Sequence, residues 1–150
     1  MTSIETLFRG LADRAALEDL VARHSVWIDE SRWDETDRIF TDDVAVKSPR
    51  GEAHGIAELL DLVKKGHDTF AQTVHNKATL VIDLDGDTAT VRAHDLAVFV
   101  VDDTAVSIAA GIHHYGARRT EDGWRFTSLE IVPAALSAHL PRAVIGKASA

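Results

Sequence analysis

The sequence predicts an α+β fold: a single domain in which N-terminal helices pack on a curved, mainly antiparallel sheet. Up to Gly66 the apolar residues recur at helical spacing. From Thr73 onward they lie in long β-rich segments separated by short acidic turns. Helices gathered first and strands gathered last argue for helices covering one face of one sheet. No repeat or low-complexity linker divides the 150 residues, so they read as one domain with a core over 13–132.

Thr2 with Glu5 has the spacing of a capping box, Ile4, Leu7 and Phe8 follow, and Gly10 reads as a stop, giving a short opening helix. Asp13 then caps a second helix. Along it Leu17, Leu20, Val21, His24 and Ile28 form one stripe, with Ala16 and Trp27 on one flank and Ser25 and Asp29 on the other. Ser31 is placed to cap a third helix running to Phe40, with Trp33 and Phe40 inward and Thr41-Asp42-Asp43 ending it. Val44 and Val46 alternate as a short strand, and Pro49-Arg50-Gly51-Glu52 reads as a turn. Ile56, Leu59, Leu60 and Val63 then repeat at helical spacing.

Four strands follow: Thr73 to Leu84, Thr88 to Val101, Ala105 to Arg119 and Trp124 to Val132. Their turns fall at Asp85-Gly86-Asp87, Asp102-Asp103 and Glu121-Asp122-Gly123, the signature of a meander. The alanine-rich tail from Pro133 reads as a short helix or a frayed end and is assigned no role.

Composition excludes several classes. With no cysteine there is neither a disulfide framework nor a thiolate metal site, and a reducing cytoplasm fits. A formal net charge of −8 repels phosphate backbones, and the basic pairs Lys64-Lys65 and Arg118-Arg119 are no nucleic-acid footprint. No stretch approaches the apolar length of a membrane span, and the N-terminus has no charged region followed by an apolar run. The local signatures of nucleotide binding, zinc proteolysis and serine hydrolysis are absent. A metal on Asp29, His75 and a second histidine lacks tight ligand spacing, so neither metal nor cofactor is expected.

Asp29 stands out. A carboxylate in a last helical turn meets the negative end of the helix dipole, unfavourable by about 0.3–1 kcal/mol unless something answers it. Three histidines on successive strands, His75, His94 and His113, are the candidates, because imidazole exchanges protons near neutrality.

Strand alternation then sorts the faces. Ser107, Ala109, Gly111, His113 and Tyr115 share one face, small until His113, while Val106, Ile108, Ala110, Ile112 and His114 share the other, which favours His113 over His114 as the pocket residue. His75 lies with Thr73, Lys77 and Thr79 on a polar stripe that lines either a wet cavity or the solvent face. His94 follows Thr90 and Arg92, yet Leu96, Val98 and Val100 continue the same parity, a switch that a bulge near Asp95 would resolve. His24, on the apolar helical stripe, is either a hydrogen-bonded core residue or part of a pocket.

The segments Asp19-Leu20-Val21-Ala22-Arg23-His24-Ser25-Val26-Trp27-Ile28-Asp29, Arg32-Trp33-Asp34 and Ile39-Phe40-Thr41-Asp42-Asp43-Val44 resemble the opening of SnoaL-like members of the nuclear transport factor 2 superfamily. His54-Gly55, Thr73-Val74-His75-Asn76, Asp85-Gly86-Asp87-Thr88-Ala89 and Asp122-Gly123-Trp124-Arg125-Phe126 continue the likeness, so that it covers roughly Asp13 to Val132.

The resemblance implies a cone-shaped barrel with helices closing a curved sheet around one deep pocket. It also implies that Asp29 and His75 point into that pocket as acid–base groups, as in the related scytalone dehydratases and SnoaL-like cyclases. His113 falls where the dehydratase has a polar pocket residue. The departures are Ile28 beside Asp29, His24 where many relatives carry tyrosine, and Tyr115 as the only tyrosine, which argue against scytalone as substrate.

The expectation is therefore a cofactor-independent cyclase, isomerase or dehydratase acting on a small, largely apolar carbonyl or polyketide-like metabolite. Asp29 would abstract a proton or fix a histidine tautomer, and His75 would donate to the developing oxyanion, assisted by His113. His24, Trp27, His94 and Tyr115 would shape the pocket. Two alternatives stay open: a non-catalytic module that binds a hydrophobic ligand or dimerises, and a hydrolase in which Asp29 activates water on an epoxide-like substrate. A homodimer through an exposed sheet face is expected.

Overall fold

A computed structural model describes residues 3–143. Its first element, α1 (Ile4–Asp29), is one helix where the sequence suggested two. Thr2 lies outside the described residues; the cap is Ser3, whose hydroxyl oxygen accepts the Thr6 amide at 3.2 Å. Gly10 is helical, because one glycine costs a helix only about 1 kcal/mol and the following stripe is buried. Asp13 is no cap. Its carboxylate accepts from both terminal guanidinium nitrogens of Arg119 at 2.8 Å and from the Trp124 indole N–H at 3.0 Å, tying α1 to the far end of the sheet.

The third helix is also corrected. Ser31 (φ 54) is in the left-handed region, and the amides of Ser31 and Arg32 donate to the carbonyls of Ile28 and Trp27. That pattern closes a helix rather than opening one. A single 3₁₀ segment, Trp33–Arg38, follows, stapled by the Trp27 indole N–H on Thr36 Oγ1 at 3.0 Å. Phe40 does not end a helix but starts β1 (Phe40–Ser48).

The remaining elements are β2 (Gly51–His54), α2 (Gly55–His67), β3 (Gln72–Asp85), β4 (Thr88–Val100), β5 (Ala105–Thr120), β6 (Gly123–Leu136) and β7 (Leu140–Pro141). They form a seven-stranded sheet in the order β2-β1-β6-β5-β4-β3, with β7 on β5. All pairings are antiparallel except β1 with β6. The sheet is curved but not closed into a barrel, and α1 and α2 lie on its concave side. Between them sits a core that includes Leu17, Leu20, Val21, Phe40, Leu59 and Phe126.

The tail from Pro133 is neither a helix nor frayed up to residue 143, and its last residues lie outside the described ones. It continues β6 to Leu136 across a register shift at Ala110/Gly111 and then adds β7. Gly111 makes this possible, since a Cβ there would stand 2.7 Å from the Val132 carbonyl oxygen.

The expected bulge near Asp95 is on the neighbouring strand. β4 pairs with β5 without interruption, whereas β3 shifts register between Ala78 and Val81, with Thr79 at φ 52. Before the shift Thr73, His75 and Lys77 face the concave side; beyond it Ile82 does. Polar side chains therefore point inward along half of β3, and Val74 and Leu96, each 49% exposed, point outward.

Candidate acid–base site

A cavity of about 300 Å³ opens between α1, α2 and the concave sheet. Most of its wall is apolar: Trp27, Ile28, Leu59, Val63, Phe70 and Phe99 contribute, and so do Pro133, Ala135 and Leu136 of the tail. Polar groups gather where the last turn of α1 meets β3, β4 and β5, and Ser48, Arg50 and His67 also line the cavity, from β1, the turn after it and the end of α2.

Asp29 is answered by β3. The Thr73 hydroxyl donates to Asp29 Oδ1 at 2.8 Å, the His75 amide donates to Oδ2 at 2.8 Å, and His75 Nδ1 lies 2.6 Å from Oδ1. Burial opposes ionisation of Asp29, but these hydrogen bonds outweigh it and hold its carboxyl below the usual range. An ionised carboxylate only accepts, so His75 Nδ1 carries a proton toward Asp29, and Nε2 is the remaining nitrogen of a ring that lines the cavity.

A second chain of groups lies beside the first. Lys77, two residues along the same face of β3, donates to Asp95 Oδ1 at 2.7 Å, and Asp95 Oδ2 is 3.4 Å from His113 Nε2. On its other side His113 Nδ1 meets the Tyr115 hydroxyl at 3.3 Å, which also lies 2.9 Å from His24 Nδ1. Burial disfavours charge on Asp95, yet His113 and Lys77 reverse this and hold its carboxyl far below the ordinary range. Burial pushes Lys77 and His113 down, His24 well down and Tyr115 well up. His24 and Tyr115 are therefore neutral near pH 7.

With both histidines neutral, one proton order fits these contacts: His24 Nδ1–H donates to Tyr115, Tyr115 donates to His113 Nδ1, and His113 Nε2–H faces Asp95.

The structure thus brings His75, His113, His24 and Trp27 to one cavity, with Asp29 behind His75 and Thr73 and not itself in the wall. Tyr115 lies beneath the floor, 2% exposed, and reaches the cavity only through the two histidines. His94 is not brought there: β4 runs without a bulge, so His94 projects from the outer face and is exposed.

Lys77 and Asp95 were not singled out from the sequence. The signal was available, because Lys77 is i+2 from His75 and Asp95 has the parity opposite to the outward His94. Among the described residues no cluster of three His, Asp or Glu side chains is arranged to hold a metal ion.

An open curved sheet whose helices close a cavity, with a carboxylate-backed imidazole on its wall, defines the class of protein. The family follows: the chain belongs to the SnoaL-like domain family, whose sequence model matches residues 9–130. No curated protein matches the sequence.

Solved structures share the fold. A protein assigned as a scytalone dehydratase from Novosphingobium aromaticivorans superimposes with a TM-score of 0.79 at 21% identity, covering 93% of this chain and 97% of that one. Hexachlorocyclohexane dehydrochlorinase LinA-type3 from Novosphingobium barchaimii LL02 gives a TM-score of 0.74 at 21% identity, covering 93% and 97%. A nuclear transport factor 2-like protein with a cystatin-like fold, also from N. aromaticivorans, gives 0.73 at 25% identity, covering 87% and 90%.

Proposed function

We propose that this protein is an acid–base enzyme of lyase or isomerase type, acting on a small apolar carbonyl metabolite through the Asp29–His75 pair. The observation that carries the reading is the 2.6 Å contact of Asp29 with His75, whose ring lines a largely apolar cavity. The names of two structural relatives, one assigned as a scytalone dehydratase and one a dehydrochlorinase, denote eliminations, in keeping with such chemistry.

In this reading His75 Nε2 removes a proton from carbon next to the carbonyl. Asp29 fixes the tautomer and stabilises the imidazolium that forms, a contribution of about 10²–10⁴-fold for a well-placed base. Asp29 is an orienting group rather than the base, because its oxygens already accept three hydrogen bonds. The same fact weighs against Asp29 activating water on an epoxide. Returning the proton elsewhere gives isomerisation, expelling a β-substituent gives dehydration, and attack of the enolate on a second carbonyl gives cyclisation. None of these needs a cofactor.

The proposed assembly is a homodimer. Val74, Leu96, Ile108 and Val132 stand at least 38% exposed on the outer face of the sheet, an apolar patch that a second copy would cover.

The test is exchange of α-protons of enolisable ketones in D₂O, followed by NMR. The enzyme should catalyse exchange and the His75→Gln protein should not. Ketones that bind without exchange would leave a binding module, and label from H₂¹⁸O in the product of an epoxide would make it a hydrolase.

A further inference from the structure

An enolate needs a partner for its oxygen, and His113, the obvious candidate, is engaged at both nitrogens. Nδ1 meets Tyr115 and Nε2 faces Asp95. Lys77 is not so engaged. Its ammonium has three donors, of which Asp95 takes one, and the side chain lines the cavity while only 4% exposed. No other protein acceptor for Lys77 is found among the described residues.

We infer that Lys77 is a further catalytic residue, the one that holds the carbonyl oxygen, and that the substrate class is a small enolisable ketone. This rests on His75 being the base.

Placement supports it first. His75 and Lys77 alternate on one face of β3, so their Cα atoms are about 7 Å apart along the strand. That separation leaves room for a carbonyl whose α-hydrogen faces one group while its oxygen faces the other. The positions beside them across the sheet are small: Ala97 pairs with His75, Ala109 pairs with Ala97, and Gly111 pairs with Asp95. These leave the space above the ammonium open.

Charge supports it second. After proton transfer the groups would run Asp29 (−), His75 (+), enolate (−), Lys77 (+), Asp95 (−), each charge flanked by its opposite in a site poor in water. The net charge of this row is the same before and after the step, because the proton moves only from carbon to His75. The C–H pair becomes the new C=C bond, the carbonyl π pair moves to oxygen, and Lys77 stabilises that oxygen by hydrogen bonding without giving up a proton.

The probe is acetophenone labelled with ¹³C at the carbonyl. Its stretching frequency in the complex reads the oxygen contact, and exchange of its methyl protons in D₂O reads the base. The expected result is a lower stretch in the native protein than in Lys77→Met, with exchange falling about 10²–10³-fold in that variant, the loss typical of one oxyanion donor. Lys77→Arg should restore part of the shift. His75→Gln should abolish exchange and keep the shift, which separates failure of the base from failure of Lys77.

If Lys77→Met unfolds because Asp95 is left unpaired, the double variant Lys77→Met/Asp95→Asn removes both charges and must show the same loss. An unchanged stretch in either variant, or no acetophenone binding to the native protein, overturns the inference.

Discussion

Asp29→Asn tests the site most sharply, because it preserves shape and changes only donors and acceptors. In the native protein Oδ2 accepts the His75 amide at 2.8 Å, and that backbone bond does not rotate away. The asparagine oxygen must take this place. The amide NH₂ then falls where Oδ1 was, facing His75 Nδ1 at 2.6 Å and the Thr73 hydroxyl at 2.8 Å. Two N–H groups cannot share that space.

His75 therefore shifts its proton to Nε2 and accepts on Nδ1, so that the cavity-facing nitrogen is no longer basic. The rate loss should be that of a missing general base, about 10²–10⁴-fold, or about 3–5 kcal/mol of transition-state stabilisation. Two measurements check it: α-proton exchange of a ketone in D₂O, and the ¹⁵N shifts of His75, which report the tautomer without any substrate. A His75 that keeps its proton on Nδ1 in the variant, or exchange at the native rate, would refute this reasoning.

Other consequences follow from the same geometry. Asp95→Asn strands the buried Lys77 charge and should destabilise the fold by about 3–5 kcal/mol in urea titrations near pH 7, with Lys77→Met added in cis recovering most of the loss. His24 is neutral in the folded state because burial holds its pKa well down, while in the unfolded chain it protonates below about pH 6.5. The unfolded state then binds the extra proton, so Tm should fall as pH drops below about 6.5, and His24→Leu should flatten that part of the profile. Leu96→Glu, on the outer sheet face, should convert the proposed dimer to monomer in sedimentation experiments while leaving the cavity intact. Gly111→Ala brings a Cβ to 2.7 Å from the Val132 carbonyl, and the forced shift should lower stability by about 1–3 kcal/mol.

Much of this was legible in the sequence where a strong local pattern coincided with burial. Leu17, Leu20, Val21 and His24 of the predicted stripe are buried as periodicity requires, its last member Ile28 is half-buried, and the acidic turns mark the sheet's hairpins. Local signals failed where distant partners override them. Asp13 looks like a helix cap until Arg119 and Trp124 arrive from more than 100 residues away. Ser31 also reads as a cap, but the amides of Ser31 and Arg32 instead finish the preceding helix. The tail carried no pattern because it completes a sheet at a register shift, where alternation is broken. In the site, the misfit of Asp29 with its helix end pointed to a partner on the sheet. Lys77 stayed hidden because a lysine on a polar stripe is usually solvated.

The bulge at Thr79 links these observations. Without it, strict alternation along β3 would put Thr73, His75 and Lys77 on the same face as Val81, and Ile82 on the face of Val74; either the polar set or the apolar set would be misplaced. One extra residue in the left-handed region lets the near half of β3 present a base and a cation to the cavity. The far half then presents Ile82 to the core. Site and core are thus two halves of one strand, and the backbone irregularity between them allows both to face the same way. Deleting Thr79 should therefore do more than lower stability: it should force a choice between burying Ile82 and facing His75 inward. Because the core holds the larger apolar area, the expected product is a folded protein in which His75 no longer reaches Asp29, detectable by loss of the Asp29-dependent tautomer in ¹⁵N spectra. A deletion variant that keeps both that tautomer and native stability would show that the register of β3 is set elsewhere.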